Sequence, residues 1–295
     1  MKLFARLRAL ASPTKEAGEL GPVAYAADAP AAATPELTEQ EKELLRHQIA
    51  VKWDLIHRIE ALKDAPAVLT CALCQHSGPA PSFTLFESQC IFEGGAIVRH
   101  QCPECDVIFG SAAMLALSAE ELTQEYEWHY RVFTEGDSTE QELRAFHALG
   151  PDKDKKYVNW GSGAWSNTID VLRAEGWQVY GFEPHGSAVG GGDAILTSME
   201  QLVQLQPHGI FSNNVLEHLR HPVAALQAMA NLLPADGLMS HATPCFEYRF
   251  EFTRFHLFFF LGRSRSLLAR EAGLQIQDYQ VEGDFMNLVL SKQRC

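Results

Sequence analysis

The sequence predicts an α/β fold: a mostly parallel sheet covered on both faces, preceded by a small four-cysteine module and helices. Three observations predict it. From Lys156 onward, strand-like and helix-like segments alternate, which implies a layered parallel sheet. A glycine turn, Gly161-Ser162-Gly163, joins the first of these strands to the first helix. Ahead of them stand two Cys-x-x-Cys pairs, Cys71/Cys74 and Cys102/Cys105.

The chain has 295 residues, of which 46% are hydrophobic and 21% charged. This suits one medium domain plus a small module with a sizeable core. The formal net charge is -13. Such a chain repels phosphate backbones unless its basic residues are segregated, and no basic stripe is seen, so nucleic acid is not the expected partner. Seven cysteines, an odd number with no secretory signal, argue against a disulfide scaffold and for a reducing, cytoplasmic setting. No apolar run reaches the roughly 20 residues of a membrane span.

Residues 1–36 read as a flexible segment rich in Ala, Pro and Gly. Within it Leu3, Phe4, Leu7 and Leu10 recur at helical spacing among Lys2, Arg6 and Arg8, a pattern that can touch a membrane's inner face or a partner. A helix is expected over 37–66, opened by a Thr38/Glu41 capping box, with Leu45, Ile49, Trp53, Ile56 and Ile59 on one face. It is a candidate for homodimerisation. Residues 67–115 hold the cysteine pairs. Residues 116–155 read as a helical connector, with a Ser118/Glu121 capping box and an aromatic helix carrying Tyr126, Trp128 and Tyr130.

The main α/β domain is expected over 156–295. Its strands are read at Tyr157–Trp160, Gln178–Phe182, Ala194–Thr197, Ile210–Ser212 and Leu238–Ala242. Helices are read at Ser166–Glu175, Pro222–Leu233 and Ser266–Ala272, the last closed by Gly273. Leu274–Val281 and Met286–Ser291 read as a terminal antiparallel pair.

Each Cys-x-x-Cys turn presents two sulfurs to one ion, so Cys71, Cys74, Cys102 and Cys105 are read as a structural Zn2+ ribbon. Four thiolates leave no open position for water, so the ion is not catalytic. Cys90, between the pairs, reads as a buried apolar residue, with an extra metal ligand as the alternative.

At the glycine turn the backbone can approach a ligand closely. The second strand ends about 20 residues later in Gly181-Phe182-Glu183-Pro184, where an acid can accept hydrogen bonds from both ribose hydroxyls of an adenosine.

In combination these segments resemble the class I S-adenosylmethionine (SAM) dependent methyltransferases. Asn213-Asn214-Val215-Leu216-Glu217-His218-Leu219 with His221-Pro222 resembles their fourth-strand motif. Leu232-Leu233-Pro234-Ala235-Asp236-Gly237 resembles the turn into strand five, and Phe255-His256-Leu257-Phe258-Phe259 the acceptor-side segment after it. The resemblance covers residues 156 to 291 and implies a Rossmann-like, seven-stranded fold. Cys102-Pro103-Glu104-Cys105 with Tyr126 and Tyr130 is similar to the front part of bacterial sugar and cell-surface glycan methyltransferases.

The resemblance implies a cofactor site of Asn159, Gly161, Ser162 and Gly163 on the methionine side. It also implies Glu183 and Pro184 at the ribose, Ser198 and Met199 near adenine, and Asn213 and Asn214 at the methionine or acceptor. Two positions depart from the family pattern: Asn159 stands for its usual acid and Trp165 for its third glycine. Asn159 brings no charge to the methionine ammonium.

An alcohol acceptor must lose its proton, work suited to histidine. His218 and His256 are the expected bases, with His241 and His185 behind them. Some members of the family this segment resembles hold a divalent ion with a Glu-x-x-Glu-His pattern here; Asn214 stands at the first glutamate, leaving only Glu217 and His218, so no active-site metal is expected. The expected activity is O-methylation of a sugar, a glycan or its precursor. The alternatives are an RNA methyltransferase with a zinc module, disfavoured by the -13 charge, and a non-catalytic scaffold that kept the fold.

Overall fold

The computed structural model describes residues 36–63, 66–134, 136–163, 166–184, 194–248 and 253–293. The N-terminal amphipathic pattern, Trp165, His185 and Cys295 lie outside the described residues.

Helix α1 spans Glu39–Ala61 and begins at the expected capping box, with the Thr38 side chain accepting from the Glu41 N–H. Ile49 and Trp53 are buried, but Ile59 is 48% exposed, so the packed stripe ends before the helix does. Strands β1 (Val68–Thr70) and β2 (Ser77–Pro79) form a two-stranded sheet around the first cysteine pair. Strands β3 (Thr84–Gln89), β4 (Ala96–Gln101) and β5 (Ile108–Gly110) form an antiparallel meander around the second. Helices α2 (Ala112–Leu115), α3 (Ala119–Tyr130) and α4 (Thr139–His147) follow. The Ser118/Glu121 capping box opens α3.

The second sheet is built from β6 (Lys156–Trp160), β7 (Gln178–Phe182), β8 (Ile195–Leu196), β9 (Gly209–Asn213) and β10 (Leu238–Ala242). Helix α5 (Thr168–Ala174) lies between β6 and β7 in sequence, α6 (Met199–Leu205) follows β8, and α7 (Pro222–Leu232) precedes β10. After β10 come β11 (Phe258–Phe259), α8 (Ser264–Glu271), β12 (Leu274–Glu282) and β13 (Phe285–Lys292). The seven-stranded order is β8-β7-β6-β9-β10-β13-β12, and only β13 runs antiparallel to its neighbours. This is the seven-stranded, Rossmann-like fold that the resemblance implies.

Alternate residues of each parallel strand enter cores on opposite faces, as the pleat requires. Tyr157 and Phe211 join Phe146, Leu172 and Val179 on one side. Val158 and Ile210 join Leu226, Met229 and Leu268 on the other. That second core runs on into Trp53, Phe83 and Val107 of the N-terminal part.

The sequence did not predict β11. It pairs antiparallel with β5, Phe258 opposite Phe109 and Phe259 opposite Ile108. The cysteine module therefore completes its sheet with a strand from the acceptor-side segment. Helix α4, read as connector, packs on β9 and β10.

Candidate functional site

Chain order reverses between β6 and β9. The chain runs outward from β6 to β8 and returns on the other side of β6 as β9. In open α/β sheets ligands bind at such a switch point, beyond the carboxyl ends of the strands. The turn after β6 and the turn after β9 are two of the segments read from sequence as the cofactor site.

Gly161 has φ +69° and Gly163 φ +55°, both in the left-handed region that glycine enters freely. A Cβ on Gly161 would lie 2.8 Å from Val215 Cγ2, so this turn and the one after β9 are in close contact. The Gly161 N–H donates to the Phe182 carbonyl at 2.9 Å, and the Gly163 N–H donates to Glu183 Oε2 at 3.2 Å. The glycine turn and the predicted ribose acid thus sit side by side. Pro184 follows Glu183 at the edge of the described residues. Ser162 is 5% exposed, and its hydroxyl has no partner among the described residues. Ser198 and Met199 stand beyond β8, where Ser198 caps α6 by accepting from the Gln201 N–H and Met199 is its first residue.

Asn159 is buried and its amide donates to Glu142 Oε2 at 2.5 Å. The same oxygen accepts from the Ser166 hydroxyl at 2.8 Å, and Oε1 accepts from Ser138 at 2.6 Å. Burial raises the Glu142 pKa, and these hydrogen bonds oppose the rise. A carboxylate from α4 therefore stands beside position 159. Sequence reasoning missed Glu142, because nothing in a helix 17 residues upstream marks it as a partner of β6.

A cleft opens at the ends of β9 and β10, lined among others by Asn213, Asn214, Thr243, Pro244, Tyr248 and Met286. Asn214 has φ +53°, a conformation that asparagine tolerates better than most residues. Its N–H donates to the Ala242 carbonyl at 2.9 Å.

Behind the cleft the two histidines expected as bases come together, with ring centroids 4.7 Å apart. His218 Nδ1 is 2.8 Å from Tyr126 Oη, and His256 Nδ1 is 3.2 Å from Cys245 Sγ. Glu217 is fully buried and Oε1 accepts from the Thr243 hydroxyl. Burial, with repulsion from His129, pushes the His218 pKa down to about 4. Burial also lowers His256 well below the usual range, with help from His218 and Arg99. Both rings are neutral at physiological pH, which makes each a weaker base than a histidine near pKa 7. His241 is buried in β10, with Nδ1 2.8 Å from the Ser212 hydroxyl.

The four predicted cysteines also meet. Their sulfurs lie within 4.8 Å of one another, with 3.8 Å for Cys71–Cys105 and 3.6 Å for Cys74–Cys102. The two turns share one design. The residue after each second cysteine, Gln75 or Asp106, has positive φ and donates its N–H to the carbonyl of Cys71 or Cys102. Tetrahedral bonds of about 2.3 Å to zinc would set sulfurs about 3.8 Å apart, so the set fits such an ion.

Residues 137–281 match the family described as a methyltransferase domain. That segment is similar to this family over just under half of the chain. Among solved structures, the chain is similar to TnmH at 17% identity and TM-score 0.41, covering 59% of this chain and 61% of that one. It is similar to the mitomycin 7-O-methyltransferase MmcR at 14% and 0.42, covering 60% and 61%. It is also similar to the CcbJ methyltransferase from Streptomyces caelestis at 12% and 0.41, covering 56% and 95%. The chain spans about three fifths of the first two. No curated protein matches the sequence. Among the described residues of the chain, no helix is long and apolar enough to cross a membrane.

Proposed function

We propose that the methyltransferase domain transfers a methyl group from SAM to a hydroxyl of a sugar, a glycan or its precursor, and that the cysteine module holds a structural Zn2+. The contact of Gly163 with Glu183 carries the reading. It joins a backbone turn open to close approach with an acid placed to accept from ribose hydroxyls.

SAM, when bound, supplies an electrophilic methyl group. The chain's own task is then positioning and exclusion of water, the main requirement of an in-line displacement. Gly161, Ser162 and Gly163 present backbone to the cofactor, and Glu183 orients its ribose. Asn213 and Asn214 line a cleft at the strand ends, which this reading assigns to the acceptor hydroxyl. The acceptor-side group is His218 with His256, held by Tyr126 and Cys245.

The geometry at Asn159 counts against a scaffold that has lost its chemistry. That side chain is tied to a carboxylate beside the glycine turn, so the altered motif keeps an acid at the strand end.

The deciding experiment is calorimetric titration of the metal-replete protein with SAM and with its demethylated product. Saturable binding that Glu183→Ala weakens tenfold or more, about 1.4 kcal/mol, supports the assignment and leads to a screen of sugar acceptors. A folded protein that binds neither compound overturns it.

A further inference from the structure

Helix α1 is apolar on two opposite sides. Its inner side carries Ile49 and Trp53, both buried in the core, with Leu45 and Ile56 packed beside them. Its outer side carries Leu44, Val51, Leu55 and, at the C-cap, Leu62, which are 57%, 51%, 56% and 88% exposed. We propose that this outer stripe is a homodimer interface, on which α1 of a second copy packs antiparallel about a two-fold axis. The proposal does not depend on the methyl-transfer reading.

The stripe follows from its spacing. Leu44, Val51, Leu55 and Leu62 are separated by seven, four and seven residues. At about 3.6 residues per turn this keeps them within an arc of about 40°, on the side opposite Trp53. That is the seam of a coiled coil. The outward face of a helix is ordinarily polar, and a contiguous apolar stripe on it marks a contact with another surface. The inner side holds the helix in place. Trp53 Nε1 donates to Glu125 Oε2 at 2.7 Å, Arg46 Nη2 donates to the Val132 carbonyl at 2.9 Å, and His57 Nδ1 lies 2.7 Å from the Gly94 carbonyl.

The same spacing selects the occupant. Seven-four-seven reads the same in both directions, so the stripe is complementary to itself in reverse. About a two-fold axis level with Trp53, Leu44 of one copy meets Leu62 of the other and Val51 meets Leu55. Each contact is made twice, as an isologous interface requires. Charge favours the same direction. Of the charged residues within about 100° of the stripe, the first half of the helix has Glu41 and Glu43, and the second half has Asp54, Arg58 and Lys63. Antiparallel pairing sets the acidic half of one helix beside the net basic half of the other. Parallel pairing would set Glu41 beside Glu41 and Arg58 beside Arg58, at a cost.

The sequence suggests α1 as a dimer helix through the stripe of Leu45, Ile49 and Trp53. That stripe is filled by the chain's own core, so the contact belongs to the opposite face. None of the four outer residues lines the cleft at the strand ends, so substitutions there probe association without entering the candidate site.

The test is sedimentation velocity of the full chain, from low micromolar to hundreds of micromolar. Wild type is expected to reach twice the chain mass of 32.8 kDa. Leu55→Glu sets a carboxylate against Val51 of the second copy and should weaken association about tenfold or more. Its circular dichroism and Tm should stay at the values of the wild-type monomer, because the side chain is exposed there. Val51→Lys alone should weaken association in the same way. Val51→Lys combined with Leu55→Glu should restore the dimer, since antiparallel pairing then sets opposite charges together. A wild type that stays monomeric at every concentration overturns the proposal and leaves the stripe to another protein or to the chain's own first ten residues. A dimer that Leu55→Glu leaves intact overturns it as well. So does a double variant that associates no better than either single one, because the helices would then not run antiparallel.

Discussion

Asn159 and Glu142 show how a side chain can depart from a motif while a carboxylate stays beside it. The amide donates to a carboxylate buried beside it. Asn159→Asp would set two carboxylates against each other in a site with little water and remove the hydrogen bond between them. We expect it to cost about 1–3 kcal/mol, measured by urea unfolding. The double variant Asn159→Asp with Glu142→Gln should recover most of the loss, because the amide and the acid have exchanged places. His241 gives a second residue-scale expectation. Burial pushes its pKa down to about 3 in the fold, against about 6.5 in an unfolded chain. Between those values the unfolded chain holds a proton that the folded chain does not, so stability is full above about pH 6.5 and declines as pH falls toward 3. At about pH 5 the deficit from this residue is about 2 kcal/mol. His241→Asn should flatten the fall in Tm between about pH 7.5 and about pH 5, relative to wild type.

At the scale of elements, the cysteine module and the acceptor-side segment act as one unit. Strand β11 completes the module's sheet, and Arg263, at the start of α8, reaches back to the second cysteine turn. Its guanidinium donates to both Asp106 carboxylate oxygens, at 2.9 Å and 3.0 Å, and to the Pro103 carbonyl at 2.8 Å. The pair holds the Asp106 carboxyl below its ordinary range. The contact is tight enough that a Cβ on Gly262 would come within 2.6 Å of Asp106. Arg263 is exposed, so Arg263→Ala should change stability little. Its clearer signature should be faster hydrogen exchange at Phe258 and Phe259, with exchange across β6 unchanged.

For the whole molecule, the same connection makes metal removal a long-range event. Stripping the cysteine centre with a strong chelator should lower Tm and open residues 71–110 to hydrogen exchange. The segment 253–263 should open with them, since β11 and the buried Arg99 tie it to that module. The glycine turn should keep its protection, because its backbone contacts run to β7 rather than to the module. An exchange map in which only 71–110 responds would contradict this coupling. The chain's net charge of -13 adds an expectation for partners: RNA should show no saturable, salt-sensitive binding, measured by fluorescence anisotropy.

Much of this was legible in the sequence, for local reasons. The capping boxes at Thr38 and Ser118 set helix starts through side chains three residues apart. Strand-like and helix-like segments in alternation marked the parallel sheet, and Cys-x-x-Cys spacing marked the sulfur centre. The glycine turn and Glu183 were readable because strand and turn geometry place them at fixed intervals. What the sequence could not show is which distant segments meet. Glu142 beside Asn159, β11 against β5, and His256 beside Glu217 and His218 each join residues that no local spacing relates. Their meeting depends on chain reversal at the sheet and on a core shared by both parts of the molecule, and only the tertiary structure decides it.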